Sequence, residues 1–97
     1  PPDQDLHRYW LRGLRLLNGE DPQRLLSDLQ TIRAQFSGYQ PLLEGLEGEL
    51  LARLGQSAAA QTHLQSALRQ ARFQAAGEPN YRVHLPILEG RLATLQN

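Results

Sequence analysis

Ninety-seven residues make one domain's worth of chain, and 40% hydrophobic with 21% charged residues is ordinary for a globular protein. Ten basic residues, all arginine, balance ten acidic ones, so no charge footprint points to nucleic acid or to an anionic membrane surface. The absence of cysteine excludes disulfides and thiolate chemistry, and no apolar run approaches the ~18 residues that a membrane-spanning helix needs.

The first predicted element, roughly 4–18, is a helix carrying Tyr9 and Trp10 and the segment Leu11-Arg12-Gly13 running to Leu16. Asp21 followed by Pro22 then reads as a helix start: an acceptor at the cap, and a proline whose missing N–H is not needed there. Leu25, Leu29, Ile32 and Phe36, with Leu26 beside them, give this second helix (roughly 22–36) its apolar face, and Ser37-Gly38 supplies the stop. A third helix, roughly 40–54, carries Leu46-Glu47-Gly48 running to Leu51 and ends at Leu54-Gly55. Ser57 is the expected cap of a fourth, roughly 57–73, with Ala60, Leu64, Ala67, Leu68 and Ala71 on one face. After a connection over 73–79, a fifth helix, roughly 81–96, carries Leu88-Glu89-Gly90 running to Ala93. Pro86 either marks its start or kinks it. One valine and two isoleucines leave no strand pattern, so the fold class is all-α.

The elements repeat. Gly13 and Gly48 are 35 positions apart, and Gly90 follows Gly48 by 42, the surplus falling in the connection at 73–79. The same offset of 35 takes Leu25 to Ala60, Leu29 to Leu64, Ile32 to Ala67 and Phe36 to Ala71. The expected architecture is a short right-handed stack of two helical hairpins and a C-terminal capping helix, a single domain over 1–97 with units at about 4–38, 40–73 and 80–97. Recurrence of glycine two residues after leucine predicts that Gly13 and Gly48 sit where a facing helix crosses closely. Beginning at Pro1-Pro2-Asp3 without methionine, the chain reads as part of a longer protein.

These residues resemble the tetratricopeptide repeat family, whose units of about 34 residues carry W-x2-L-G-x2-Y on the first helix and A-x3-F on the second. In the second unit Gly48, Leu51, Ala60 and Leu64 take the glycine, tyrosine, alanine and phenylalanine places; in the first, Tyr9, Gly13, Leu16 and Leu29 fit. Arg12, Glu44 and Glu47 depart from the pattern where the family is apolar, Leu25 replaces a small residue, and Ser37 and Arg72 replace the closing proline. Leu43, Leu46, Leu50 and Leu54 form a rival stripe one position away, so two frames compete for the third helix. The longer third connection looks like the extended repeats of bacterial signal-responsive regulators. The resemblance implies a protein–protein interaction scaffold, not an enzyme, whose concave groove is lined by first-helix residues: His7, Trp10, Gly45, Glu49, Ala52, Arg53 and Arg91. Partner-binding roles fall to His7, Trp10, Glu49, Arg53 and Arg91, with Arg53 and Arg91 to hold carboxylates. In the family frame Trp10 points to the groove; in the rival frame it joins Leu6, Gly13, Leu14 and Leu17 as core.

No catalytic machinery is visible. His7, His63 and His84 lack metal-type spacing, although His7 and His84 both stand six residues before a repeat glycine and would share a face. His63 reads as solvated, as does the Glu44, Glu47, Glu49 cluster, with Arg53 placed to pair with Glu49. The expected partner is therefore a protein, a peptide or another domain of the same polypeptide, with no cofactor, no metal, no nucleic acid bound through this domain and no membrane insertion, in the cytoplasm or periplasm. Two alternatives stay open. One is a regulatory or sensory domain taking a small ligand; the other is an oligomerisation module forming a homodimer through the apolar face of the last helix, Leu85, Ile87, Leu88, Leu92 and Leu95.

Overall fold

Five α-helices and one short 3-10 helix make up nearly all of the computed structural model, which describes residues 2–35 and 38–96. No strand occurs among them; the protein is all-α. The helices are α1 (Pro2–Leu17), α2 (Pro22–Gln35), α3 (Pro41–Arg53), α4 (Ser57–Gly77) and α5 (Leu85–Gln96), with the 3-10 helix at Pro79–His84. The expected stop at Ser37 and the apolar position Phe36 lie outside the described residues.

Local chemistry explains most boundaries. Helix α1 ends at Gly19, whose φ of 85° is open to glycine at little cost. There the Glu20 N–H donates to the Arg15 carbonyl (3.2 Å) and the Gly19 N–H to the Leu16 carbonyl (3.1 Å), satisfying carbonyls the helix leaves bare. Gly55 (φ 82°) repeats the motif after α3, with the Gln56 N–H on the Leu51 carbonyl (2.9 Å) and the Gly55 N–H on the Ala52 carbonyl (3.1 Å). Asp21 caps α2 as its sequence predicts, its Oδ1 accepting from the Gln23 N–H at 3.2 Å. Ser57 does not cap α4: Gln56 holds the cap position without a side-chain bond, and Ser57 is already helical. Helix α4 also outruns its expected end at 73, because Gln74, Ala75 and Ala76 favour helix and Ala75 is buried. Pro86 falls in the first turn of α5, where a proline is tolerated, and 81–84 are 3-10 rather than α-helix.

Helix α3 is the centre of the molecule. It packs against α1, α2, α4 and α5, and from Pro41 to Leu51 every residue but Glu49 is buried. Leu43, Leu46 and Leu50 pack with Leu25, Leu26 and Leu29 of α2, while Leu42 packs with Ala67, Leu68 and Ala71 of α4 and Leu88 of α5. A helix enclosed on all sides reads as apolar all round. That is why two frames competed for it: both stripes are core. Two of the three described pairs match in burial, Leu25 with Ala60 and Leu29 with Leu64, whereas Ile32 is partly buried and its counterpart Ala67 fully so.

The repeat glycines are not equivalent. A Cβ on Gly48 would lie 2.9 Å from Leu64 Cγ and 3.0 Å from the Ala60 carbonyl oxygen, so α3 and α4 cross there at a distance only glycine permits. At Gly45 a Cβ would meet the tip of the Leu88 side chain, its Cδ2 at 2.5 Å, so Leu88 of α5 fills the space the glycine leaves. A Cβ on Gly13 or Gly90 would meet nothing within 4 Å. The close-packing role expected of Gly13 is therefore corrected.

Candidate functional site

Between α1 and α5, over the exposed edge of α3, runs a groove of about 620 Å³. Tyr9, Trp10, Gly13 and Leu17 form one wall; Ile87, Gly90, Arg91 and Thr94 form the other; Leu46, Glu49 and Arg53 form the floor. Two of the repeat glycines thus face open space in the walls, which explains their empty surroundings. Trp10 is 56% exposed, so its core reading is wrong. The reason lies in how α1 is turned: Asp5 is buried and Tyr9 and Leu16 are partly buried against the core, whereas Trp10, Leu11, Leu14 and Leu17 are exposed, Trp10 and Leu17 at the groove. An apolar stripe at helical spacing here points to solvent.

Arg53 of the floor and Arg91 of the wall converge on one carboxylate oxygen, Glu49 Oε1. Arg91 Nη1 donates to Glu49 Oε1 at 2.6 Å and Arg91 Nη2 donates to the Tyr9 hydroxyl at 2.8 Å, tying α5 to α3 and α1. Arg53 Nη2 lies 3.6 Å from the same Oε1, an ion pair longer than a good hydrogen bond. Burial works against the Arg91 charge, yet the Tyr9 hydroxyl and the Glu49 carboxylate outweigh it and hold its pKa above the usual value. Two guanidiniums against one carboxylate leave the floor one positive charge in excess.

Of the five residues singled out from the sequence, Trp10, Glu49, Arg53 and Arg91 come together in this groove. His7 does not; it is exposed on the outer side of α1. Nor does Gly45, buried beneath Leu88. His84, expected to share a face with His7, is fully buried instead: its Nδ1 lies 2.7 Å from the Tyr39 hydroxyl, and its ring stacks on Tyr39 and meets Tyr81 edge-on. Burial, with Asp5 and Tyr81 nearby, pushes the Tyr39 phenol above its usual range.

The glutamates of α3 divide. Glu44 and Glu47 are buried on the side of α3 away from the groove, correcting the solvated reading. Arg33 of α2 binds Glu47 and lies 3.8 Å from Glu44. Gln70 of α4 donates to Glu44 at 2.7 Å, and the half-exposed His63 ring lies 3.4 Å from both carboxylates, so His63 is a bridging residue and not a bare surface one. No group of three or more His, Cys, Asp or Glu side chains among the described residues is arranged to hold a metal ion.

One structural residue had no signal in the sequence. Asp5 is fully enclosed, and its Oδ2 accepts from the Leu42 N–H at 2.8 Å, capping α3 from another helix because Gln40 makes no cap bond. Burial drives this carboxyl up to about 6 against the Leu42 and Leu43 N–H groups and the Arg8 and Arg33 charges, all of which favour its ionised form. An Asp in the fourth position of a helix announces no such role.

The apolar face of the last helix packs within the chain. Leu88 is buried against α3 and α4, Leu85, Ile87 and Leu92 pack on the same cluster, and Leu95 packs on the other. Four of the exposed large apolar side chains, Trp10, Leu11, Leu14 and Leu17, lie on α1; Phe73 of α4 and Val83 of the 3-10 helix are exposed as well. Among the described residues no helix is long and apolar enough to cross a membrane. No family model, no curated protein and no solved structure matches this chain.

Proposed function

We propose that this chain is a tetratricopeptide-like interaction module whose α1–α3–α5 groove takes an amphipathic helix of a partner protein carrying an acidic side chain. The observation that carries the reading is the pairing of exposed apolar walls with a net positive floor: Trp10, Leu17 and Ile87 above, Arg53 and Arg91 against Glu49 below. Helix-in-groove recognition needs that combination, apolar anchors at i, i+4 and i+7 with one charge to fix register. The glycine-stopped ends of α1 and α3, 36 positions apart at Gly19 and Gly55, support the repeat; the unlike surroundings of Gly13 and Gly48 weigh against a strict family frame.

Trp10 is the only tryptophan and stands in the wall, so its emission reports occupancy directly. A short amphipathic helical peptide with leucines on one face and a single central glutamate is the probe. Binding with a blue shift of Trp10, weakened about tenfold by Arg53→Ala, is the expected result. A peptide that binds Arg53→Ala unchanged overturns the carboxylate role, and no shift at any concentration overturns the groove. A volume of about 620 Å³ also suits a small molecule; that second reading wins if a metabolite, and no peptide, shifts Trp10 and raises the melting temperature. Concentration-dependent association with a Trp10 shift in the absence of peptide assigns the groove to a second copy.

A further inference from the structure

Glu49 differs from the other walls and floor of the groove in one respect: it already does what an acidic ligand would do. Its Oε1 takes both guanidiniums, Arg91 by a 2.6 Å charge-assisted hydrogen bond and Arg53 at 3.6 Å. The carboxylate is shielded, with 14% of its side chain exposed, whereas Arg53 is 51% and Arg91 42% exposed. Donors face the groove and their internal acceptor lies beneath them. An arriving carboxylate therefore finds Arg53 held only by a long ion pair and ready to turn, but finds Arg91 fastened at two points, to Glu49 and to the Tyr9 hydroxyl.

We infer that Glu49 is an internal stand-in for the partner's carboxylate, a lock that lowers the affinity of the groove for acidic segments and sets how acidic a partner must be to enter. The inference rests on the groove reading above. Entry is a two-step exchange: the partner carboxylate engages Arg53 first, then competes with Glu49 for Arg91. Replacing Glu49 by glutamine removes the competing anion and adds one positive charge to the excess on the floor. The gain appears only with partners that carry the carboxylate, because apolar contacts with Trp10, Leu17 and Ile87 are untouched.

The test crosses two proteins with two peptides: wild type and Glu49→Gln, against the glutamate peptide above and its glutamine counterpart, with Trp10 emission as readout. The expected result is that Glu49→Gln binds the glutamate peptide about tenfold more tightly and the glutamine peptide within about twofold of wild type, with a steeper salt dependence for the first pair alone. Glu49→Asp, which keeps the charge but shortens its reach toward Arg91, gives an intermediate gain and serves if the glutamine variant is unstable. Equal gains for both peptides, or none for either while Trp10 still reports binding, overturn the lock and leave the groove standing. No Trp10 response from any pair overturns the groove and the lock with it.

Discussion

The two sides of α3 carry the same chemistry in opposite settings. Facing α2 and α4, Arg33 holds Glu47 with Glu44 close by, both carboxylates are buried, and Gln70 and His63 complete the network. Facing α1 and α5, Arg91 and Arg53 hold Glu49, and the guanidiniums stand half in water. An arginine–carboxylate pair is thus no sign of function by itself; what separates them is whether the arginine can leave. On the closed side a departing arginine abandons buried charge, which costs several kcal/mol, whereas on the open side water takes over.

The largest loss follows from Arg33→Met, which keeps the apolar stem and removes the charge. With Glu44 and Glu47 left buried without their guanidinium, it lowers the unfolding free energy by about 3 kcal/mol in urea; a loss below about 1 kcal/mol erases the distinction between the sides. Asp5 comes next. Its folded pKa of about 6 lies above the ordinary 3.8, so the fold favours the neutral carboxyl. That contribution is complete below 3.8 and is lost as pH rises through about 6. Between pH 4 and pH 7 wild type accordingly loses about 3 kcal/mol relative to Asp5→Asn, from two pKa units at about 1.4 kcal/mol each. Parallel stability profiles for the two proteins refute it. The glycines sharpen the contrast at smaller scale. Gly48→Ala forces Leu64 and the Ala60 backbone apart and costs about 2 kcal/mol, while Gly13→Ala, with open space around it, gains about 0.5–1 kcal/mol from helix propensity. Chemical denaturation of the pair decides both.

The helices were legible because their signals are local. Asp21-Pro22 sets a boundary through the Asp21 side chain and Leu54-Gly55 through its own backbone groups, and spacing placed Leu25, Leu29, Ala60 and Leu64 in the core. Four of the five residues singled out from the sequence also meet in one groove, and for Glu49 and Arg53 the spacing of four already places them on one face of α3. What failed was whatever depends on a neighbour. Spacing finds a stripe on α1 but cannot say that Leu16 is covered and Leu14 bare. Burial of Glu44 and Glu47 needs Arg33 and Gln70 from two other helices, and the enclosure of His84 needs Tyr39, 45 residues away. The glycine motif misled because one pattern, Leu-x-Gly, serves close packing at Gly48 and an open wall at Gly13.

The cap that Asp5 places on α3 spans 37 residues of chain and joins the opening events of two helices. If α1 lifts away in a sub-global fluctuation, the Leu42 and Leu43 amides lose their acceptor while Leu46 and Leu50, deeper in α3, keep theirs. In native-state hydrogen exchange the first-turn amides of α3 then share the protection of α1 rather than that of the helix they belong to, and Asp5→Ala uncouples them. The cooperative unit so defined runs across the seam between α1 and α3, so the central helix, the most enclosed element of the protein, opens first at the end that a distant carboxylate guards.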